Sequence, residues 1–317
     1  MQAICRYCFS PKYLGKPSLM DLLQHAAEGC IVETRFLTMS DGVELQMFEF
    51  SPPVATDRPP LLFVAGWISQ ISGWTGVLKS LTAKYPVHYL ETREKRSSKI
   101  SKVSAVAFDM HRMRDDVAEV IQQCYPDGNY LLSGSSLGAS AIVEFLLMHK
   151  LSPNATALIA PNPELKLPKG LIYGLVSWFP PALYAPIKAI AKWYLRSFRL
   201  DPIKEPEQYE KYASTLDTAD PYKLKPNAMA MLDYHVWDRL AAVQNKVLIV
   251  GASSDKLHGL DNLLRMTSLM PNAKLVSMES NKATHSEQAG SLLAGYFNGE
   301  SLEAVAAETN TTLIEVE

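Results

Sequence analysis

Short apolar runs alternate with longer amphipathic stretches along most of this chain, and this alternation restricts the fold more than any other feature. The runs are five or six residues long, as buried strands are, and lie at 61–66, 87–91, 130–134, 156–160, 246–251 and 274–278. Helical periodicity is found near 73–84, 106–124, 137–149, 260–270 and 286–297. Strands that alternate with helices at this spacing predict a mostly parallel sheet with helices on both faces, an α/β fold.

Two regions depart from the alternation. Residues 31–39 and 43–50 are strand-like and are joined by Ser40-Asp41-Gly42, which predicts an opening hairpin. Residues 161–240 contain 10 of the 20 prolines and three of the five tryptophans, and we interpret them as a mostly helical insertion. The predicted organisation is an N-terminal extension at 1–30, an α/β core at 31–160 and 241–298, a helical cap or lid at 161–240 and a tail at 299–317.

The composition excludes several classes of protein. The 317 residues are 47% hydrophobic with a formal net charge of −2, which excludes disorder as the main state and disfavours a nucleic-acid partner. The N-terminus lacks a continuous apolar run, so no signal peptide is predicted. Prolines and lysines interrupt the most hydrophobic stretch, 171–195, so we expect no stable membrane insertion. The prediction is a soluble, cytoplasmic protein.

The most informative motif is Gly134-Ser135-Ser136-Leu137-Gly138, which fits G-x-S-x-G between a predicted strand and a predicted helix. A nucleophile at the tip of such a turn has a strained backbone, so the residues two before and two after it must be small. Gly134 and Gly138 meet that requirement. Ser136 is therefore the candidate nucleophile, and the alternative is a Gly/Ser-rich turn without chemistry.

A serine hydroxyl is a weak nucleophile and needs a base that is held in place by a third group. Of the seven histidines, only His285 lies in a loop between the last predicted strand and the last helix. Asp255 follows the predicted strand at 246–251 and is the candidate orienting acid. Glu164, which follows the preceding strand, is the alternative acid. Ordinary loop or helix-capping roles are the alternatives for His285 and Asp255.

The order Ser136, Asp255, His285 along a strand–helix chain resembles the α/β-hydrolase superfamily, over nearly all of residues 31–298. The resemblance implies a lid or cap after the sixth strand. It also implies that the backbone N–H groups of Leu137 and Trp67 form the oxyanion hole. Two sequence features depart from the family pattern: Ala65-Gly66 replaces His-Gly, and the loop at 91–98 lacks glycines.

The resemblance implies a serine hydrolase that cleaves a carboxylic ester through an acyl-enzyme, like a carboxylesterase or lipase. A thioesterase, an amidase, a C–C bond hydrolase or a cofactor-free perhydrolase could use the same three residues. A catalytically silent receptor or scaffold is the alternative from another class, although silent members often lose one of the three. The expected partner is a small-molecule ester or an acyl lipid.

Apolar side chains of the predicted cap suggest the kind of substrate. Trp178, Trp193 and Tyr194 place large apolar groups in this region, and the segment 185–199 has the periodicity of an amphipathic helix. They either pack the cap onto the core or form an acyl pocket over Ser136. The second interpretation predicts a medium or longer acyl chain, as in a monoacylglycerol or lysophospholipid.

Other signals are weaker. Cys5, Cys8, His25 and Cys30 are the residue types of a zinc site. Their spacing along the chain is less regular than in known zinc motifs, so we expect unreactive thiols. No phosphate-binding glycine motif is present, so no nucleotide cofactor and no metal are predicted. Five basic residues between 93 and 102 predict a solvated loop or, as the alternative, a docking point for an anionic group.

Overall fold

A single nine-stranded sheet forms the centre of the protein. The computed structural model describes residues 18–148, 152–164, 177–199, 206–254 and 259–316. The strands are β1 (Ile31–Thr38), β2 (Glu44–Ser51), β3 (Leu61–Val64), β4 (Val87–Leu90), β5 (Leu131–Ser135), β6 (Ala155–Ile159), β7 (Val247–Ala252), β8 (Ala273–Met278) and β9 (Thr312–Ile314). Their order is β1-β2-β4-β3-β5-β6-β7-β8-β9. Strands β3 to β8 are parallel to one another, and β1, β2 and β9 pair antiparallel.

Helices cover both faces of this sheet. The α-helices are α1 (Leu19–Leu23), α2 (Thr75–Thr82), α3 (Met110–Cys124), α4 (Ser136–Leu146), α5 (Tyr184–Tyr194), α6 (Pro206–Thr218), α7 (Pro221–Ala230), α8 (Leu260–Leu269), α9 (Glu287–Phe297) and α10 (Leu302–Glu308). One apolar core joins α3, α4 and α8 to the sheet, and a second joins α1, α2, α9 and α10 to the opposite face. The predicted α/β fold with helices on both faces is confirmed.

The central strands are apolar throughout because both of their faces are covered. Every residue of β3, β5 and β7 is buried, whereas β1, at the edge, is largely exposed. Such continuous apolar runs are typical of parallel strands, and they explain why the sequence located these strands to within about two residues.

Both ends of the described chain contribute to this core. Leu22 of α1 is fully buried, and β9 extends the sheet by pairing with β8, where Leu313 lies opposite Val276. The organisation predicted from the sequence left residues 1–30 and 299–317 outside the core. In the structure, residues 18–30 and the tail are part of the core. The sequence did not indicate this, because their few apolar side chains find packing partners only in the folded protein.

The described elements between β6 and β7 are mainly helical. We call α5, α6 and α7 together the helical segment. Gln70 donates from Nε2 to Thr218 Oγ1 at 2.6 Å, and Lys223 Nζ donates to the carbonyl oxygens of Lys95 (2.9 Å) and Ser98 (2.6 Å). The junction of α6 and α7 is thereby bound to the loops after β3 and β4. None of the described helices combines the length and the apolar composition needed to cross a bilayer.

The basic loop predicted to be solvated or to dock an anion is instead partly internal. Arg93 is fully buried and donates to both carboxylate oxygens of Asp116, at 2.6 and 2.5 Å, and to Asp41 at 2.9 Å. Lys95 is also buried, and it lies 3.7 Å from Glu91. Both predictions for this loop are therefore wrong at Arg93 and Lys95. Asp116 and Asp41, from other parts of the chain, pair with Arg93, and Glu91 of the same loop lies beside Lys95.

We expect Arg93→Ala to lower the free energy of unfolding by about 3 kcal/mol, because it leaves two carboxylates without their main buried partner. The matched control is Arg35→Ala. Arg35 pairs with Glu49 at 3.5 Å with half of its side chain exposed, so its loss should cost less than about 0.5 kcal/mol. Urea denaturation measures both values. Equal losses in the two variants would contradict the role assigned to Arg93.

Candidate active site

Ser136 stands at the junction of β5 and α4 with a backbone φ of +46°. Residues other than glycine rarely adopt this region, and such strain is typical of functional turns. The flanking glycines make the turn sterically feasible. A Cβ on Gly138 would lie 2.4 Å from the carbonyl oxygen of Val64, and one on Gly134 would lie 2.7 Å from Cδ1 of Ile142. The predicted nucleophile therefore occupies a tight strand-to-helix turn.

The loop after β3 runs alongside the nucleophile. A Cβ built on Gly66 would lie 3.4 Å from Cβ of Ser136, and Trp67 is the next residue. Ile68 has a φ of +46°, so the chain turns sharply there. Leu137 follows Ser136 at the beginning of α4. The structure thus brings both predicted oxyanion residues to the carboxyl ends of β3 and β5, while their role as donors stays a prediction.

A buried carboxyl group supports this loop, and sequence reasoning missed it. Glu94 Oε1 accepts hydrogen bonds from the Ile68 N–H at 3.1 Å and from the Thr92 hydroxyl at 2.8 Å. The side chain is fully buried, and burial raises the pKa of the Glu94 carboxyl above its ordinary value although nearby Lys95 lowers it. The only signal in the sequence was a charged residue in the loop at 91–98, which lacks the glycines of the pattern it was compared with.

Asn162 is the second residue that sequence reasoning missed. It follows β6, and its Nδ2 donates to Ser136 Oγ at 3.0 Å. Its backbone is fixed by Ser140 of α4, whose hydroxyl accepts from the Asn162 N–H at 3.1 Å and donates to the Asn162 carbonyl at 2.8 Å. The position after a strand end, at the edge that carries Ser136, was the available signal.

His285 lies in a short 3₁₀ turn, Ala283–His285, between β8 and α9. Its Nδ1 is 2.9 Å from the carbonyl oxygen of Asn281, and its ring lies 4.2 Å from that of Trp74, centroid to centroid. A carbonyl can only accept, so this hydrogen bond places a proton on Nδ1. In the neutral imidazole Nε2 is then the basic nitrogen, which is the tautomer that a general base requires.

The orienting acid is the least described part of the site. Asp255 lies outside the described residues, after β7, so its assignment stays a prediction. Glu164, after β6, forms an isolated antiparallel bridge with His235, and the Val236 N–H donates to the Pro163 carbonyl at 2.9 Å. Glu164 is therefore held against the chain that returns from the helical segment.

The predicted acyl-pocket residues lie on the surface of the helical segment. The exposed fractions are 87% for Trp178, 58% for Trp193 and 46% for Tyr194. Trp178 thus faces solvent more than an enclosed cavity would allow, and the acyl pocket stays a prediction.

Two residues of the alternative zinc site, His25 and Cys30, are hydrogen-bonded to α2. His25 Nδ1 is 2.7 Å from the Thr75 hydroxyl, and the Cys30 thiol donates to the Thr82 carbonyl. Cys5 and Cys8 lie outside the described residues. Within the described ranges, no group of three or more His, Cys, Asp or Glu side chains is placed to hold a metal ion.

Comparison with solved structures identifies the fold. A hydrolase from Pseudomonas aeruginosa PA01 superposes with a TM-score of 0.68 at 17% identity, over 84% of this chain and 98% of that one. An esterase from Exiguobacterium antarcticum gives 0.67 at 19% identity, and an enol-lactonase from Burkholderia xenovorans LB400 gives 0.67 at 15%, each over 84% of this chain and 100% of the other. The protein has the α/β-hydrolase fold. No protein-family model and no curated protein sequence matches the chain.

We expect Glu94→Gln to remove a pH-dependent loss of stability. Because the raised pKa makes the native state bind a proton more tightly than the unfolded state does, wild-type stability falls as pH rises from the ordinary glutamate range through the raised pKa. The amide does not titrate, so the free energy of unfolding of Glu94→Gln minus that of the wild type should increase with pH.

Urea denaturation between pH 4 and pH 8 measures this difference. The control is Glu33→Gln on β1, where the side chain is exposed and a change to an amide should leave the slope unaltered. A difference between Glu94→Gln and wild type that stays constant over this range would contradict the raised pKa.

Proposed function

We propose that the protein is a serine hydrolase that cleaves a carboxylic ester through an acyl-enzyme. The observation that carries the proposal is the strained turn at Ser136, which presents a serine beside the Gly66 loop on one side and Asn162 on the other. Solved structures with this fold include proteins named as a hydrolase, an esterase and an enol-lactonase, which supports ester chemistry.

In the proposed mechanism, Ser136 Oγ attacks the acyl carbon while its proton passes to Nε2 of His285. The N–H groups of Trp67 and Leu137 stabilise the oxyanion, and the imidazolium then protonates the leaving alcohol. Water attacks the acyl-enzyme with His285 as its base, and Oγ regains its proton. Asp255 is the proposed partner that orients the imidazole and stabilises its positive charge.

We expect Ser136→Ala and His285→Ala each to lower kcat by about 10⁵- to 10⁶-fold, because the members of such a triad act as a unit. Asp255→Asn should cost about 10⁴-fold, because the imidazolium loses its carboxylate and the new amide competes with the Asn281 carbonyl for Nδ1. Hydrolysis of p-nitrophenyl esters measures turnover, and a fluorophosphonate probe reports whether Ser136 is the nucleophile. A Ser136→Ala protein with wild-type esterase activity would overturn the proposal.

Glu164→Gln is the matched control for the acid, since Glu164 follows the strand next to β7. Its kcat should stay within about threefold of wild type, which is a difference of under 1 kcal/mol in barrier. If Glu164→Gln proves inactive while Asp255→Asn retains activity, the acid is the residue after β6.

The proposed substrate class is an ester with a medium or longer acyl chain. In α5 no side chain is buried, and apolar groups such as Ile190 and Trp193 remain more than half exposed, so an acyl chain that covered them would bury apolar area. Each buried methylene should contribute up to about 0.8 kcal/mol, or a three- to fourfold gain in kcat/KM. A kcat/KM that is flat or falls from acetyl to octanoyl esters would exclude such a site.

A further inference from the structure

The amide of Asn162 contacts the atom that would react. Its Nδ2 lies 3.0 Å from Ser136 Oγ, and it comes from the loop after β6. The predicted oxyanion donor Trp67 follows β3, which lies on the other side of β5 in the sheet. The nucleophile is therefore flanked by the loops of both neighbouring strands. Asn162 contacts the serine oxygen, whereas the loop of Trp67 is the one predicted to bind the carbonyl oxygen of the substrate.

The backbone that carries the Asn162 amide is held in place before any substrate binds. The Ser140 hydroxyl accepts from the Asn162 N–H, and its single proton lies between two carbonyl oxygens, those of Asn162 (2.8 Å) and Ser136 (3.0 Å). Ser140 is buried, and Ala160 in the same loop has a φ of +47°. One hydroxyl thus joins the loop after β6 to the first turn of α4. A donor whose backbone is held in this way, and which already contacts its acceptor, requires little reorganisation when charge develops there.

We propose that Asn162 is a catalytic residue that stabilises negative charge on Ser136 Oγ. This inference rests on the proposed serine hydrolase function. In acylation, Oγ loses its proton to His285 as it forms the bond to the acyl carbon. In deacylation, the bond between the acyl carbon and Oγ breaks, the electron pair goes to Oγ, and the His285 imidazolium returns the proton. The amide donates a hydrogen bond to Oγ at both stages and transfers no proton.

This role differs from that of the oxyanion hole. Backbone donors there act on the carbonyl oxygen, which is negative only in the tetrahedral intermediates, whereas Asn162 acts on the oxygen that attacks and later leaves. Loss of one well-placed donor in a hydrolase site costs about 10²- to 10³-fold in rate. Oγ also shares its charge with the acyl carbon, so we expect Asn162→Ala to slow both steps by about 10- to 100-fold.

The test follows the two steps separately with a p-nitrophenyl ester in stopped flow. The burst of p-nitrophenol gives the acylation rate, and the subsequent steady state gives the deacylation rate where an acyl-enzyme accumulates. The rate of labelling by a fluorophosphonate probe reports the attack of Oγ separately from deacylation, because the phosphonyl-enzyme accumulates as the product. Asn162→Ala should show slower labelling and slower turnover, with its melting temperature within a few degrees of wild type.

A second variant, Asn162→Asp, separates the catalytic role from a structural one. It also replaces Asn162→Ala in the test if that variant folds poorly. It keeps the shape of the side chain but places a carboxylate beside Oγ, so labelling should weaken as pH rises through the titration of the introduced acid. Its pH optimum should therefore move below that of wild type, whereas the profile of Asn162→Ala keeps the wild-type shape. A merely structural asparagine would not move this profile.

The outcomes distinguish the two proposals. If wild-type protein is not labelled at Ser136 and hydrolyses none of the esters, the proposed function fails. If wild type is labelled and active, but Asn162→Ala reacts at the wild-type rate and Asn162→Asp keeps the wild-type pH profile, the function stands and the role of Asn162 is overturned.

Discussion

The close approach of α4 to the end of β3 is the constraint on which the rest of the site depends. The backbone at Gly138 is so near the Val64 carbonyl that no Cβ fits between them. This proximity brings the first turn of α4 beside the Gly66 loop and holds Ser136 in a left-handed conformation that costs about 1–3 kcal/mol. Burial of β5 and of nearly all of α4 opposes that cost, so the strained residue lies between two buried elements.

The features that sequence analysis predicted correctly are those encoded locally. The parallel strands are continuous apolar runs, and the turn at Ser136 needs small residues at fixed offsets, so both could be recognised without knowing their neighbours in space. Asn162 and Glu94 could not be found in this way. Each acts through one hydrogen bond to a residue 26 positions away, and nothing in their local sequence distinguishes them from other loop residues.

The burial of the basic loop has the same physical origin. Arg93 and Lys95 look like solvated charges in the sequence, because most arginines and lysines lie on the surface. The partner of Arg93 comes from a distant segment, since Asp116 belongs to α3. The loop around Lys95 is enclosed by α7, since Lys223 donates to the backbone carbonyl of Lys95. The same argument applies to β9, a three-residue strand whose apolar side chains become informative only when β8 offers an open edge.

The Lys223 contact also determines how the helical segment could move. Salt bridges from Lys188 and Lys192 to Asp217 tie α5 to α6, while Lys225 of α7 donates to the Phe179 carbonyl just ahead of α5. Salt bridges and hydrogen bonds thus connect the helices of the helical segment to one another, and the contacts near residues 214–223 connect them to the core. A displacement at Lys223 would therefore move the aromatic groups of α5 together with α6 and α7.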